Sequence, residues 1–282
     1  MILGLLGYPL SHSLSPKLHA TALSICGIQG SYELFPLAPE NPDAIKNLCD
    51  RMRGGEIAGL NVTIPFKQSI IQYLDALSPT AQAIGAVNTL YLHNNKLMGD
   101  NTDAPGFLAD LKRFPSSGPS QEKREKRALV LGAGGAARAV VFALVRDGWE
   151  VKIAARRPEQ VRALMDQFSE YRQQLAAIPY NAEAFETQGF SIRLVINTTP
   201  VGMVPKVSAS PWPSGVQIPF QADCYDLVYN PAETRFIREA RAAGHLAASG
   251  LGMLVEQAAL SFKIWTGFDI FREFLFSALE GI

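Results

Sequence analysis

The sequence predicts an α/β protein with mainly parallel sheets and two domains. Stretches typical of β-strands alternate with helical stretches almost throughout, which is the pattern of strand–helix–strand units. The 282 residues exceed the usual size of one domain, so two domains are expected. A polar stretch from Pro115 to Arg127 separates two series of units, and we expect it to be a surface connection.

The first series contains four expected strands and three helical stretches. The strands are expected at residues 2–7, 31–37, 57–63 and 86–92, and the helical stretches begin at Ser15, Pro39 and Gln68. Ser15 followed by Pro16 is typical of a helix start, because serine caps the first turn and proline is tolerated at the first helical position.

The second series contains four more strands, followed by two helical stretches. The strands are expected at 128–131, 150–154, 191–197 and 222–229, and the helices at about 252–265 and 269–279. Amphipathic stretches between these strands favour right-handed crossovers. The last helix is expected to place an apolar stripe on a sheet, made of Phe271, Phe274, Leu275 and Ala278.

Composition argues against several classes of protein. Twenty-six basic residues balance 26 acidic ones, which offers no support for a nucleic-acid or anionic-membrane partner. The apolar run at the start of the chain is interrupted at Gly7 and Pro9. It is long enough for a first β-strand but too short for the hydrophobic region of a signal peptide. No apolar run approaches the roughly 18 residues that a spanning helix needs. We expect a cytoplasmic protein, a monomer or a homodimer.

Cysteine and histidine spacing predicts neither disulfides nor a metal site. Cys26, Cys49 and Cys224 lie far apart and are expected to be free thiols in a reducing compartment. No pair among the four histidines has the spacing of zinc ligands.

A glycine-rich turn between the strand 128–131 and a helical stretch predicts a dinucleotide site. Its pattern is Gly132-x-Gly134-x-x-Ala137. The first glycine allows the tight turn, the second lets the backbone approach a pyrophosphate, and the third small residue brings helix and strand together. A mere glycine turn is the alternative, and the flanking strand and helix favour the Rossmann interpretation.

Two arginines after the next strand favour NADP over NAD. NAD enzymes usually carry an acidic residue there, which grips the ribose 2′-hydroxyl. This chain has Arg156 and Arg157, whose guanidinium groups attract a 2′-phosphate. Two solvated arginines at a helix start are the alternative.

Six polar motifs resemble those of the shikimate dehydrogenase family, and the resemblance covers essentially the whole chain in one order. The motifs lie at residues 7–16, 61–67, 85–90, 99–103, 226–231 and 250–260. The resemblance implies NADPH-dependent, reversible reduction of 3-dehydroshikimate to shikimate, a step of aromatic amino acid biosynthesis. Composition and periodicity alone predict only an NADP-binding α/β enzyme.

The resemblance also implies the roles of individual residues. Lys67 and Asp103 are expected to handle the proton of the substrate oxygen; taken alone, a surface lysine and a helix-capping aspartate are equally good interpretations. The substrate-binding residues are expected to be Ser13, Ser15, Thr63, Lys67, Asn88, Asp103, Tyr229 and Gln257. The cofactor-binding residues are expected to be Gly132, Ala133, Gly134, Gly135, Ala136, Arg156, Arg157, Thr198, Thr199, Val201, Leu227, Gly250 and Met253. Asn61 is a neighbour of the motif whose role is open between binding and structure.

Because Gln257 lies on a C-terminal helix, the C-terminal pair of helices is expected to complete the first domain. Residues 1–103 plus 250–282 would then form the substrate-binding catalytic domain, and residues 104–249 the Rossmann-type NADP-binding domain. Where relatives that use NADP often have Asn-Arg-Thr, this chain has Ala155, Arg156 and Arg157. The strength of the NADP preference therefore stays open. The rival interpretations are a quinate/shikimate dehydrogenase with wider substrate or NAD use, a non-catalytic NADP-binding sensor, and a folate-type methylene dehydrogenase.

Overall fold

A computed structural model describes residues 1–114, 125–187 and 192–280. The chain forms two compact units, Met1–Gly106 with Leu254–Ile282, and Phe107–Met253. The expected domain boundaries at residues 103 and 250 lie within a few residues of these breaks. Most of the polar stretch after Pro115, and Ser191 of an expected strand, lie outside the described residues.

The first unit is built on a six-stranded mixed sheet. Its strands are β1 (Ile2–Gly7), β2 (Ser31–Pro36), β3 (Gly59–Val62), β4 (Ala76–Leu77), β5 (Thr89–His93) and β6 (Lys96–Asp100). The sheet order is β2-β1-β3-β5-β6-β4. β1 runs parallel to β2 and β3, whereas β5 is antiparallel to both β3 and β6.

Three of the five strand pairs in this sheet are parallel, so the expectation of mainly parallel sheets holds, but the two pairs that involve β5 are antiparallel. The reason is a hairpin that the strand pattern did not predict. Asn94 and Asn95 both adopt positive φ, 50° and 59°, between β5 and β6. Two consecutive residues of this kind form the tight turn that joins antiparallel strands, and asparagine tolerates that conformation better than most residues.

Helices of the first unit cover the sheet and close its core. They are α1 (Ser15–Ile25), α2 (Pro42–Arg53), α3 (Pro79–Ile84), the start of α4 (Asp103–Arg113), most of α9 (Leu251–Thr266) and α10 (Arg272–Leu279). A continuous buried cluster includes Leu48 and Met52 of α2 and Leu60, Leu90 and Leu97 of the sheet. This core supports the strand ends, from which the polar motifs extend.

Two expected helix starts are displaced. The second helix begins at Pro42 because the Asn41 side chain accepts a hydrogen bond from the Ala44 N–H at 3.0 Å. The stretch expected from Gln68 is a single 3-10 turn, Ser69–Tyr73. Ser15 is the first helical residue of α1 and not its cap, since Leu14 holds the cap position.

The expected apolar stripe on the last helix is also wrong. α10 begins only at Arg272, and Phe271 and Phe274 are 74% and 51% exposed. The buried residues are Leu275 and Leu279, one helical turn apart, and the helix packs against α1. Its buried side therefore faces a helix and not a sheet.

The second unit has a wholly parallel six-stranded sheet. Its strands are β7 (Arg127–Leu131), β8 (Glu150–Ala154), β9 (Leu175–Ala177), β10 (Leu194–Asn197), β11 (Asp223–Asp226) and β12 (Ala247–Ser249). The order β12-β11-β10-β7-β8-β9 is that of a Rossmann fold, with its switch point between β7 and β10. The helices α5 (Gly135–Arg146), α6 (Pro158–Gln167), α7 (Ala182–Glu186) and α8 (Arg235–Ala242) connect the strands. The α/β prediction and the Rossmann prediction are confirmed. Across residues 1–114, 125–187 and 192–280, no helix is long and apolar enough to cross a membrane.

Candidate active site

Sheet topology gathers four polar segments at one edge of the first unit. The carboxyl ends of the parallel strands β1 and β3 meet at that edge. Because β5 is antiparallel to β3, and β6 to β5, the start of β5 and the end of β6 lie there too. The Tyr8 N–H donates to the Ile64 carbonyl at 2.9 Å, and the Val87 N–H donates to the Lys67 carbonyl at 2.7 Å.

Lys67 and Asp103 form an ion pair within this edge. The Lys67 Nζ donates to the Asp103 Oδ2 at 2.6 Å, and the two side chains are only 13% and 5% exposed. Asp103 is the first residue of α4 and not part of the preceding turn. A largely buried ammonium held by a carboxylate has a defined position, which a solvated surface lysine would lack.

Asn88 links this pair to the C-terminal helix. Its Nδ2 donates to the Asp103 Oδ1 at 2.9 Å and lies 3.3 Å from the Gln257 Oε1. Its Oδ1 accepts the Thr102 N–H at 2.8 Å, which sets the orientation of the amide. The structure thus joins Lys67, Asp103, Asn88 and Gln257 in one hydrogen-bonded chain, although the outer two are far apart in sequence.

A buried polar cluster supports this chain, and its central residue, Ser261, lies outside the sequence motifs. The Ser261 Oγ lies 2.8 Å from the Thr89 Oγ1 and 3.0 Å from the Thr102 Oγ1, and it accepts from the Asn61 Nδ2 at 3.0 Å. Ser261 lies four residues after Gln257, one helical turn away, just beyond the motif that ends at residue 260. That helical spacing is the signal that could have identified it.

His19 lies behind this cluster. Its ring stacks on Tyr32 with ring centroids 4.4 Å apart, and the Tyr32 hydroxyl donates to the Asn61 Oδ1 at 2.8 Å. Burial lowers the pKa of His19 to about 3, against a hydrogen bond with Asn61 that raises it. His19 is therefore neutral in the folded protein at ordinary pH.

The remaining expected substrate residues of this unit lie on the same edge. Ser15 is buried, and its N–H donates to the Ser13 Oγ at 3.3 Å at the start of α1. Thr63 follows β3, and its N–H donates to the Leu6 carbonyl at 2.8 Å. Ser13 and Ser15 carry their hydroxyl groups at the N-terminus of α1, where a carboxylate is favoured. Tyr229 belongs to the second unit and is half-buried three residues after β11.

The glycine turn of the second unit has the shape that a pyrophosphate needs. Gly132 has a φ of +114°, and a methyl group there would lie 2.5 Å from the Thr198 Oγ1. Gly134 is the N-cap of α5 without a side-chain cap, and a methyl group there would meet nothing within 4 Å. The turn therefore leaves open space in front of uncapped N–H groups, so these residues fit a dinucleotide phosphate. Ala133, Gly135 and Ala136 complete the turn and the first residues of the helix.

The other expected cofactor residues follow neighbouring strands of the same sheet. β7 and β8 pair with Leu131 opposite Ala154, so the exposed Arg156 and Arg157 come directly after the strand beside the glycine turn. The residues after β10, β11 and β12 lie at the same carboxyl edge: Thr198, Thr199, Val201, Leu227, Gly250 and Met253. A methyl group on Gly250 would lie 2.3 Å from the Leu227 carbonyl oxygen, which explains why glycine stands there.

Comparison with known proteins agrees with this architecture. The sequence model of the shikimate dehydrogenase substrate binding domain matches residues 5–90, and that of the shikimate 5'-dehydrogenase C-terminal domain matches residues 250–270. A shikimate dehydrogenase (NADP(+)) of Caldanaerobacter subterraneus subsp. tengcongensis is 38% identical, with 99% of this chain and 96% of that protein covered.

Solved structures show the same relationship. The shikimate 5-dehydrogenase of Thermus thermophilus, in complex with NADP(H) and shikimate, is 41% identical with a TM-score of 0.83, over 99% of this chain and 98% of that one. A quinate dehydrogenase from Corynebacterium glutamicum in complex with NAD has a TM-score of 0.86 at 26% identity, over 100% of this chain and 99% of that one. The coverage and the identity of these matches establish that the chain belongs to the shikimate dehydrogenase family.

Proposed function

We propose that the chain catalyses the NADP-dependent, reversible reduction of 3-dehydroshikimate to shikimate in aromatic amino acid biosynthesis. The observation that carries the proposal is the buried Lys67–Asp103 pair, 2.6 Å apart, at the polar edge of a unit that matches a shikimate-binding domain. The same chain carries a glycine turn that fits a dinucleotide. Residues 1–103 with 250–282 would bind substrate, and residues 104–249 would bind NADP.

Substrate recognition is assigned to hydroxyl and amide groups. Ser13 and Ser15 would hold the substrate carboxylate beside the N-terminus of α1. The hydrogen-bonding groups for the ring hydroxyls would be Thr63, Asn88, Gln257 and Tyr229. The Asn88 amide has a fixed orientation through Thr102, and a substrate hydroxyl would take the place of one acceptor that its Nδ2 now has, the Thr102 Oγ1 at 2.9 Å.

Proton transfer is assigned to Lys67. Its ammonium carries three N–H groups, of which one is held by the Asp103 Oδ2. Another is then free to donate to the substrate oxygen, where negative charge develops during reduction. Asp103 would hold the ammonium in place, because its second oxygen is anchored by the Asn88 Nδ2 at 2.9 Å. In the oxidation direction, neutral Lys67 would remove the proton from the hydroxyl.

The cofactor residues would act by position and charge. When bound, the nicotinamide supplies the hydride in reduction and accepts it in oxidation. Residues 132–136 would bind the pyrophosphate through their N–H groups. The guanidinium groups of Arg156 and Arg157 would bind the 2′-phosphate. The rest of the cofactor site would be lined by residues that follow β10, β11 and β12, namely Thr198, Thr199, Val201, Leu227, Gly250 and Met253.

We further propose that the protein acts in the cytoplasm as a monomer or homodimer. Its partners would be the small-molecule substrate and NADP. The equal number of basic and acidic residues, 26 of each, supports an assignment without a nucleic-acid or membrane partner.

A second candidate function is quinate oxidation, alone or beside shikimate oxidation. The structural likeness to a quinate dehydrogenase in complex with NAD favours it. The two substrates and two cofactors define four assays, in which reduced cofactor is followed by absorbance. The first proposal expects the largest kcat/KM for shikimate with NADP, and a larger value for quinate or NAD would select the second.

The same assays test Lys67. Replacing it as Lys67→Met keeps an apolar stem and removes the proton donor, so turnover should fall by about a hundredfold or more. Shikimate should still bind in calorimetry. Lys96→Met, at an exposed position on β6, is the matched control and should keep wild-type turnover. A Lys67→Met variant with wild-type kcat, or a wild type inert with all four pairs, would overturn the proposal.

A further inference from the structure

A buried amide–carboxylate pair lies at the carboxyl edge of the second unit, outside the residues assigned above. Asn197 ends β10 and Asp226 ends β11, and the two are register partners in adjacent parallel strands. Both are fully buried. Their side chains meet directly, since the Asn197 Nδ2 donates to the Asp226 Oδ1 at 2.8 Å. Ligands bind to this edge in open α/β sheets.

Asn197 holds the loop that follows β10. Its Oδ1 accepts from the Thr199 N–H at 3.0 Å and from the Thr199 Oγ1 at 2.7 Å. Its Nδ2 also donates to the Val201 carbonyl at 3.2 Å. Thr199 and Val201 are thereby held by a side chain that does not itself reach the surface. Every polar atom of the Asn197 amide is used in this way.

Asp226 holds the loop that follows β11. Its Oδ1 accepts from the Val228 N–H at 3.0 Å, and its Oδ2 accepts from the Thr234 Oγ1 at 2.6 Å. Thr234 in turn caps α8 by accepting from the Ile237 N–H at 3.3 Å. The segment from 227 to 234, which contains Tyr229, is thus fixed at both ends by one carboxylate.

We propose that Asn197 and Asp226 are positioning residues for the reaction, which together set the loops 198–203 and 227–234. The inference rests on the proposed function for its kinetic part only. All three partners of Asp226 donate, so the network fits the ionised carboxylate. Protonation would place a hydrogen against the donating Thr234 hydroxyl and force the two groups to rearrange.

The network is expected to depend on pH. Burial raises the pKa of Asp226 to about 6, while hydrogen bonds from Thr234, Val228 and Asn197 lower it. The groups facing it are Asn197 from β10, Thr234 at the N-cap of α8, and Ser249 as its register partner on β12. Cys224 lies on the same strand as Asp226, and its thiol is neutral because burial raises the pKa of Cys224. The side chains of Asn197, Thr234 and Ser249 are uncharged as well.

The test compares Asp226→Asn and Asn197→Ala with wild type, in kcat, KM and backbone hydrogen exchange. Asp226→Asn should lower kcat by about ten- to a hundredfold, the order expected for misplaced reacting groups, and should also raise KM for shikimate, because Tyr229 lies in the segment 227–234. Wild-type kcat should fall about tenfold from pH 7 to pH 5 through this group, and Asp226→Asn should lack that fall. Asn197→Ala should lower kcat but keep the pH dependence.

Hydrogen exchange makes the result independent of the substrate. Both variants should exchange about tenfold faster in residues 198–203 than wild type, and Asp226→Asn also in 227–234. Trp212→Phe is the matched control, because it removes another buried hydrogen bond of this unit, to the Val216 carbonyl, and should change neither kcat nor these segments. Unchanged exchange in a folded variant would overturn the inference. Inactive wild type with faster exchange in the variants would overturn only the proposed function.

Discussion

The burial of His19 predicts a loss of stability in mild acid that arises in the first unit. The imidazole is 1% exposed, stacked on Tyr32, and its Nε2 has no hydrogen-bond partner. The unfolded chain binds a proton on this histidine below its ordinary pKa of 6.5, whereas the folded protein does so only near 3. The stabilising contribution is therefore present above pH 6.5 and is lost as pH falls towards 3.

The expected size follows from the two pKa values. Their difference, 6.5 against about 3, is worth about 5 kcal/mol once the residue is fully protonated in both states. At about pH 5 the unfolded state has bound its proton and the folded state has not, so the loss is about 2 kcal/mol. Asp226 in the second unit opposes this change, because its raised pKa, about 6, favours folding in acid. The stability of wild type measured against pH would therefore conceal much of the contribution of His19.

The assay isolates His19 by difference. His19→Phe keeps the stacked ring but no longer titrates. Between pH 7.5 and pH 5, the free energy of unfolding of this variant should therefore fall by about 2 kcal/mol less than that of wild type. Trp265, whose ring centroid lies 5.2 Å from that of His19, reports the first unit by fluorescence. The other two tryptophans, Trp149 and Trp212, are replaced by phenylalanine in every variant, and urea unfolding is followed at each pH.

A second histidine serves as the control. His93 is exposed at the end of β5, so His93→Gln should keep the wild-type pH dependence. Equal pH dependence in wild type and His19→Phe would refute the reasoning, because it would mean that His19 binds its proton in the folded state as easily as in the unfolded one.

Three further predictions concern the cofactor, the substrate unit and the second unit. Arg156→Ala/Arg157→Ala should raise KM for NADP by about ten- to a hundredfold and leave KM for NAD nearly unchanged, because the proposed charge-assisted hydrogen bonds to the 2′-phosphate would be lost. Gly106→Ala should lower the free energy of unfolding by about 1–3 kcal/mol in urea titrations, because the methyl group would lie 2.9 Å from the Gln257 main-chain nitrogen. The difference in free energy of unfolding between Asp226→Asn and wild type should shift in favour of the variant by about 1 kcal/mol from pH 5 to pH 8, because the raised pKa of Asp226, about 6, makes the buried charge costly above that pH.

Each of these has a plain contrary result. Equal changes in KM for NADP and for NAD would show that the two arginines do not bind the 2′-phosphate. Gly54→Ala is the control for the glycine, since its methyl group would meet only ordinary contacts at 3.5 and 3.6 Å. Equal stability of the Gly54 and Gly106 variants would contradict the packing argument. A stability difference between wild type and Asp226→Asn that does not change with pH would contradict the raised pKa.

Local patterns in the sequence predicted much of the fold and the cofactor turn. The strands at 2–7 and 150–154 have the expected bounds, and the glycine turn lies between strand and helix as its spacing predicts. These features depend on residues within a few positions of one another, through strand propensity, helix capping and glycine conformation. Motif order was also sufficient to predict the family, which the comparisons confirm.

Tertiary structure alone decided which distant residues meet. The chain order does not reveal that the Asn94–Asn95 turn reverses β6, and that reversal brings Asp103 to the edge where Lys67 lies. Asn88 reaches a helix 169 residues later, and Ser261 joins the same cluster one turn beyond Gln257. Such contacts depend on strand order and on which side of a helix is covered. For the same reason, the buried face of α10 is not the one that its apolar spacing predicted. The spacing predicts that a helix buries one side, but only the neighbouring helix α1 determines which side that is.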